Sequence, residues 1–267
     1  MRELLVVVWM VALAVWLSAS QAQTPAGPPV GVLGKVDALG QEVNRPPEPT
    51  GPPPRLPDGT IDLSDGIWIY RTPSFGPNIA TGLKSGDVLP LLPSAEALIA
   101  SRKPADDPVN WCLPLGVLRA SPYPFRFIQN YTHKKPTHLY ILSEWMGSFR
   151  QIFLDGRQHP SELDPTWFGH SIGRYEKDTL VVDTVGFNGK AWYDRRGTPQ
   201  TEQLHTIERW TRTDAGSFVQ EVTIDDPGAF SRPFTVTFGL RLTQPGDEMI
   251  EYVCQENNQY GAASGVK

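Results

Sequence analysis

Apolar and polar residues alternate along most of the chain after about residue 123. Residues 234–242 give the clearest case, since Phe, Val, Phe, Leu and Leu alternate with Thr, Thr, Gly and Arg. A period of two indicates a β-strand with one buried face. The pattern predicts strands over residues 67–70, 125–131, 137–144, 148–154, 170–176, 179–185, 204–213, 217–224, 234–242 and 249–256.

Short turn-forming segments separate several of these strands, and no helix of crossover length lies between them. The order predicts an antiparallel meander. One short helix is predicted at residues 93–100, with Ser94 as its N-cap. Because an open sheet of this size would leave two unpaired outer strands, we predict an all-β fold that closes into a lipocalin-like up-and-down barrel. A β-sandwich is the alternative.

The central hairpin carries unusual polar residues. Its strands, residues 170–176 and 179–185, flank Lys177-Asp178, so a two-residue loop predicts that Glu176 pairs with Thr179 and His170 with Val185. One face of the hairpin is then largely uncharged. The opposite face gathers His170, Arg174, Glu176 and Asp183, which makes it the first candidate for chemistry.

Length and composition point to one globular domain. The chain has 267 residues, 40% of them hydrophobic, and a net charge of -5 without a long basic run. Nucleic acid is therefore not an expected partner. A small-molecule ligand or substrate is the expected partner.

The N-terminal region predicts export. Residues 1–22 contain Arg2, an apolar run at residues 4–17 and small residues before a cut at Gln23, as in a signal peptide. The apolar run is shorter than the roughly 20 residues of a membrane span. We therefore predict a periplasmic or extracellular protein that is not membrane-bound after cleavage. Residues 23–57 form a proline-rich extended segment, residues 58–258 the barrel domain and residues 259–267 a flexible tail.

The chain contains two cysteines, Cys112 and Cys254. In an exported chain, such a pair predicts a disulfide. Two separate buried thiols are the alternative.

Several sequence blocks resemble a family of exported bacterial proteins: LPDGTIDLSDGIW, IFLDGRQHPSELDPTWFGHSIGRYEKDTLVVDTVGFN, ERWTRTD, VTIDDPGAFSRPFTV and EYVCQENN. The usual family form has Trp-Glu-Gly-Asp-Thr where this chain has Tyr175 to Thr179. The missing glycine makes a turn with positive φ more costly. The resemblance implies export and a β-rich domain, and it supplies no catalytic residue.

A second hairpin, formed by residues 204–213 and 217–224, contains Glu208, the main candidate for a catalytic residue. If Asp214-Ala215-Gly216 forms a three-residue loop with a left-handed glycine, Glu208 and Trp210 lie on the apolar face. Loss of hydration then favours a protonated Glu208, which suits acid-base chemistry. A two-residue loop would instead turn His205 and Arg209 inward. A structural Glu208 paired with Arg174 or Arg241 is the other alternative.

Three further residues complete the candidate catalytic set: His205, His170 and Asp183, with Asp183 orienting an imidazole. They also allow a metal site, although no His-x-His or His-Glu-x-x-His motif is present, and no metal is predicted. No cofactor is predicted either, because neither a Gly-x-Gly-x-x-Gly nor a P-loop motif occurs.

The long segment at residues 187–201 joins two predicted strands and is rich in aromatic and charged residues. Such a loop at a barrel mouth can act as a lid, and an aromatic plug in the core is the alternative. The expected substrate-binding residues are Trp167, Arg174, Tyr175, Trp192, Asp194 and Trp210.

Two functions follow as hypotheses. The first is a cofactor-independent acid-base enzyme, a lyase, isomerase or hydrolase, in which Glu208 transfers the proton. The second is a non-catalytic binder of an apolar or aromatic ligand. A metal-dependent hydrolase is a lesser third.

Overall fold

The computed structural model describes residues 30–31, 34–35, 47–71, 78–119, 123–132 and 135–257. The chain divides into two units, Met1–Arg45 and Pro46–Lys267. In the first, Val30–Gly31 pairs antiparallel with Gly34–Lys35. The predicted signal peptide and C-terminal tail lie outside the described residues.

The second unit contains a closed barrel of nine described strands in sequential order, so the predicted all-β barrel is confirmed. Alternating side chains give the long strands one buried face and one wetter face, as the wall of a barrel requires. The strands are β1 (Trp68–Tyr70), β2 (Phe125–Thr132), β3 (Lys135–Ser143), β4 (Phe149–Phe153), β5 (His170–Glu176), β6 (Thr179–Val185), β7 (His205–Asp214), β8 (Ser217–Asp225) and β9 (Phe234–Leu242).

One interface in this barrel is parallel, so the predicted antiparallel meander is wrong at this interface. Nine strands cannot close with antiparallel neighbours throughout, because an odd ring of alternating directions leaves two neighbours running the same way. The parallel pair is β4 and β5, where Ile152 pairs with Ser171 and Phe153 with Ile172. A parallel connection needs a long crossover. Residues 154–169 form it, and we call them the crossover segment.

The predicted register of the central hairpin is confirmed. Glu176 pairs with Thr179, Ile172 with Asp183 and His170 with Val185. The loop residue Lys177 has a φ of 56°. It therefore occupies the left-handed region, which glycine adopts more easily.

The hairpin between β7 and β8 differs from the prediction at its turn. Asp214 pairs with Ser217, so the loop has two residues, and Gly216 does not have a positive φ. A register shift follows at once, and Phe218 pairs with Arg212. This irregularity restores the predicted register for the rest of the hairpin, so Glu208 still faces inward.

Two other predictions are wrong. Residues 249–253 form no strand, and Cys254–Asn257 is a 3-10 helix. The helix α1 (Pro93–Ser101) has Leu92 as its N-cap residue, without a side-chain hydrogen bond, instead of Ser94. Proline fits the first helical position because its missing N–H is not needed there.

Two apolar clusters fill the barrel along β8 and β9. One contains Phe218, Trp210 and Leu240, and the other contains Ile224, Phe234 and Val236. Between the two clusters lie buried polar side chains, which the apolar pattern alone does not explain.

Two attachments tie the outer segments to the barrel. Part of the proline-rich segment packs on the wall, where Ala215 N–H donates to the Gly51 carbonyl at 3.0 Å and Arg55 binds Asp178 at 2.8 Å. Cys112 and Cys254 form the predicted disulfide, with Cα atoms 5.7 Å apart. Among the described helices, none combines the length and apolar character that a membrane span requires.

Candidate functional site

An ion pair lies inside the barrel between Arg150 on β4 and Glu208 on β7. Nη2 of Arg150 donates to Oε1 of Glu208 at 2.6 Å, and Nη1 donates to Oε2 at 3.1 Å. Glu208 is 0% exposed and Arg150 6%. At such burial each charge depends on the other, because an isolated ion in the interior is costly.

Neutral polar groups complete the surroundings of this pair. Arg150 also donates to the hydroxyls of Ser171 and Thr184. Oε2 of Glu208 accepts from Trp210 Nε1 at 3.2 Å and from Gln220 Nε2 at 3.1 Å. Both carboxylate oxygens therefore receive N–H donors, as a buried anion requires.

Tyr70 extends the network by one step. Its hydroxyl donates to Oε1 of Gln220 at 2.8 Å. Burial, and then the Glu208 carboxylate, raise the pKa of Tyr70 far above its usual value. Tyr70 therefore remains a neutral donor at any physiological pH.

A cavity of about 100 Å³ adjoins this network. Its polar lining includes Arg150, Gln220 and Tyr70, and Glu208 is not part of the lining. Phe149, which is 61% exposed, also lines it, so the cavity reaches the surface. The aromatic and aliphatic part of the wall consists of Tyr123, Phe125, Ile141, Trp145, Phe168 and Trp210, among others.

A second polar group lies on the outer wall. Asp183 Oδ1 contacts His205 Nε2 at 2.8 Å and His159 Nε2 at 3.2 Å. The other ring nitrogen of His159, Nδ1, lies 2.7 Å from Nδ1 of His170. Three histidines and one aspartate therefore form a continuous chain of contacts, which we call the histidine cluster.

The histidine cluster is not arranged around a common centre. His159 uses its two nitrogens in opposite directions, whereas metal ligands converge on one point. No group of three His, Cys, Asp or Glu residues in the described part of the chain could hold a metal ion. Burial, and then the charges of His159 and Arg157, lower the pKa of His170.

The structure divides the predicted catalytic set between the two sides of the wall. His170, Asp183 and His205 lie together on the outer face. Glu208 projects into the barrel, because neighbouring residues of a strand face opposite sides. The structure therefore does not bring Glu208 together with these histidines. The alternative partners for Glu208, Arg174 and Arg241, are replaced by Arg150.

Of the predicted binding residues, Trp210 alone lines this cavity. Trp192 is buried under the guanidinium of Arg102, and Asp194 accepts backbone N–H groups from Ile79 and Arg196. The remaining three also lie elsewhere. Arg174 binds Glu176 on the outer face, Tyr175 accepts from Gln129, and Trp167 is half-buried outside the lining.

Sequence reasoning missed Arg150 and His159. Arg150 shares the inward face of β4 with the fully buried Ile152, and this alternation was a usable signal. His159 lies in the crossover segment, where no periodic pattern applies. Its contact with Asp183 depends on how that segment crosses the wall.

The chain was also compared with known proteins. No family model, curated protein or solved structure matches it. The resemblance drawn from the sequence blocks stays a prediction. Function is therefore inferred from the geometry of the cavity and its polar network.

Proposed function

We propose that this protein is exported and binds a small organic molecule in the barrel cavity without transforming it. The observation that carries the proposal is a largely apolar, aromatic cavity that ends on a fixed polar network of Arg150, Gln220 and Tyr70. Ligand sites commonly combine such walls with a few placed polar groups. The disulfide supports an oxidising compartment, periplasmic or extracellular, reached through the predicted signal peptide.

The contacts of Glu208 favour binding over acid-base catalysis. A catalytic acid or base must reach the reacting atoms of its substrate. Glu208 does not line the cavity, and Arg150, Trp210 and Gln220 all donate to its oxygens. We assign Glu208 the role of holding Arg150 and Gln220 in place.

The size of the cavity limits the ligand. About 100 Å³ is comparable with the ~150 Å³ engineered cavity that binds benzene. We therefore propose a molecule whose buried part is a single ring or a short branched chain. Larger substituents would extend past Phe149 towards solvent.

A cavity-filling variant tests the proposal. Ile141→Trp places an indole in the cavity and should abolish binding of toluene, phenol and benzoate in calorimetric titrations. Ile128→Trp is the matched control, because Ile128 is 42% exposed on the neighbouring strand and does not line the cavity. Failure of all three probes to bind saturably would overturn the proposal, as would equal binding by both variants. Turnover of a bound probe would replace binding with catalysis.

A further inference from the structure

The polar groups that line the cavity have spare donors. Arg150 carries five N–H bonds, and its contacts with Glu208, Ser171 and Thr184 leave one N–H on Nη1 without an acceptor among the described residues. Gln220 binds Tyr70 through its carbonyl and Glu208 through one N–H. Its second N–H has no acceptor in the described part of the chain.

Trp145 supplies a third donor. Its Nε1 is buried and has no hydrogen-bond partner among the described residues, although the ring lines the cavity. A buried donor without a partner is uncommon in folded proteins and calls for an explanation. A ligand acceptor in the cavity would provide one.

The charged groups near the cavity are arranged with their positive side towards it. Arg150 and Arg119 both line it, and each is held by a carboxylate that does not, Glu208 and Asp107 respectively. The carboxylates are shielded from the cavity by their own arginines. A ligand therefore meets the guanidinium groups first, in a low-dielectric setting where such contacts are strong.

We infer that the ligand is a small aromatic carboxylate whose carboxyl group accepts hydrogen bonds from Arg150, Gln220 and Trp145. The ring of the ligand lies against the aromatic wall that contains Trp210 and Phe125. A carboxylate accepts several N–H donors at once, which matches the donors left over. The inference rests on the proposed function, because it names the ligand of the same cavity.

Three probes of one ring size separate the possibilities in the native protein. Benzoate carries the acceptor, toluene lacks it, and benzylamine carries the opposite charge. We expect benzoate to bind roughly 10- to 100-fold more tightly than toluene, and benzylamine to bind more weakly than both. If toluene binds as well as benzoate, or benzylamine binds best, the carboxylate inference is wrong while cavity binding stands. If no probe binds, the proposed function itself fails.

Double variants test whether the inner ion pair is responsible for the preference for benzoate. Arg150→Leu with Glu208→Leu removes both charges together, so that neither is left buried alone. We expect it to weaken benzoate binding by about 10-fold or more and toluene binding by much less. Arg209→Leu with Glu176→Leu is the matched control, because it removes an ion pair of the outer face. Equal loss of both ligands in the inner variant would overturn the inference.

A smaller change protects the test against misfolding. Trp145→Phe keeps an aromatic ring and removes the N–H alone. We expect a several-fold weaker benzoate affinity and a smaller change in toluene affinity. An unchanged benzoate affinity would exclude Trp145 as a donor and contradict the arrangement proposed here.

Discussion

The Nδ1 atoms of His159 and His170 lie 2.7 Å apart, so one imidazole must donate a proton to the other. This contact joins the crossover segment to β5. If both Nδ1 atoms carried protons, neither could accept a hydrogen bond from the other. The contact therefore requires that at least one of the two histidines remains neutral.

Acidification should destabilise the protein through His170. The pKa of this histidine is lowered from its ordinary value of 6.5, first by burial and then by His159 and Arg157. The unfolded chain therefore binds the proton more readily, so stability is full above about pH 6.5 and falls as the pH drops below it. Urea unfolding at several pH values between 7 and 5 measures the slope of the free energy of unfolding against pH.

The control separates His170 from the other titratable or charged groups nearby, namely His159, His205, Asp183 and Arg157. His170→Phe retains a ring against Phe153 and removes the titration, so the slope should flatten. His138→Phe, which also replaces a ring packed on Phe153, should keep the native slope. A native slope in the His170 variant would refute the assignment.

Glu208→Gln should destabilise the barrel by roughly 3–5 kcal/mol, because Arg150 loses its buried counter-charge. The new amide N–H₂ also replaces an oxygen that accepts donors. Glu176→Gln on the outer wall should change stability much less, since exposed pairs contribute little. Denaturant midpoints of the two variants give the comparison.

The two interpretations of Glu208 differ sharply in this experiment. A catalytic Glu208 predicts a variant that is stable but inactive, whereas the ion pair predicts a variant with reduced stability. If Glu208→Gln unfolds at the native midpoint, the structural role proposed for the carboxylate is wrong.

Much of this arrangement was predictable because strands obey a period of two. The inward position of Glu208 followed from the turn at residues 214–216, although the structure reaches it through a two-residue loop and a register shift. Glu208 and its partner are 58 positions apart in the sequence. The pairing of inward polar residues depends on the order and stagger of the strands around the barrel. Local sequence patterns do not determine either of them.

The histidine cluster illustrates the other limit. Asp183 and His205 lie on adjacent strands, so their proximity follows from pairing. His159 belongs to an irregular segment whose path is fixed only by the parallel crossover. The alternation of apolar and polar residues therefore does not predict the position of His159.

Replacing Lys177 by glycine should stabilise the central hairpin. Lys177 adopts a φ of 56°, which costs a residue with a Cβ atom on the order of 1 kcal/mol. Lys177→Gly should raise the free energy of unfolding by about that amount, less the entropy that glycine adds to the unfolded chain. Lys177→Ala is the control, because alanine keeps the strain. Equal stability of the two variants would contradict this account.

Reduction of the disulfide should lower the thermal midpoint. Cys112 and Cys254 are separated by 142 positions, so the bond restricts the unfolded chain by about 4–5 kcal/mol in the loop-entropy model. A shift on the order of 10 °C follows for a domain of this size. Calorimetry with and without reductant measures it, and titration of the unreduced, denatured protein should find no free thiol. An unchanged midpoint would show that the bond adds nothing to stability.

The position of the disulfide has a consequence for self-association. The bond turns residues 112–254 into a covalent ring that contains eight of the nine described barrel strands, and β1 lies outside it. β1 pairs with β9 through three residues and with β2 through Trp68 alone. Loss of β1 would expose one edge of β9 and one end of the facing edge of β2 while the ring stayed intact. An exposed strand edge can recruit β-strands from other molecules, so the three residues of β1 should protect the barrel against self-association.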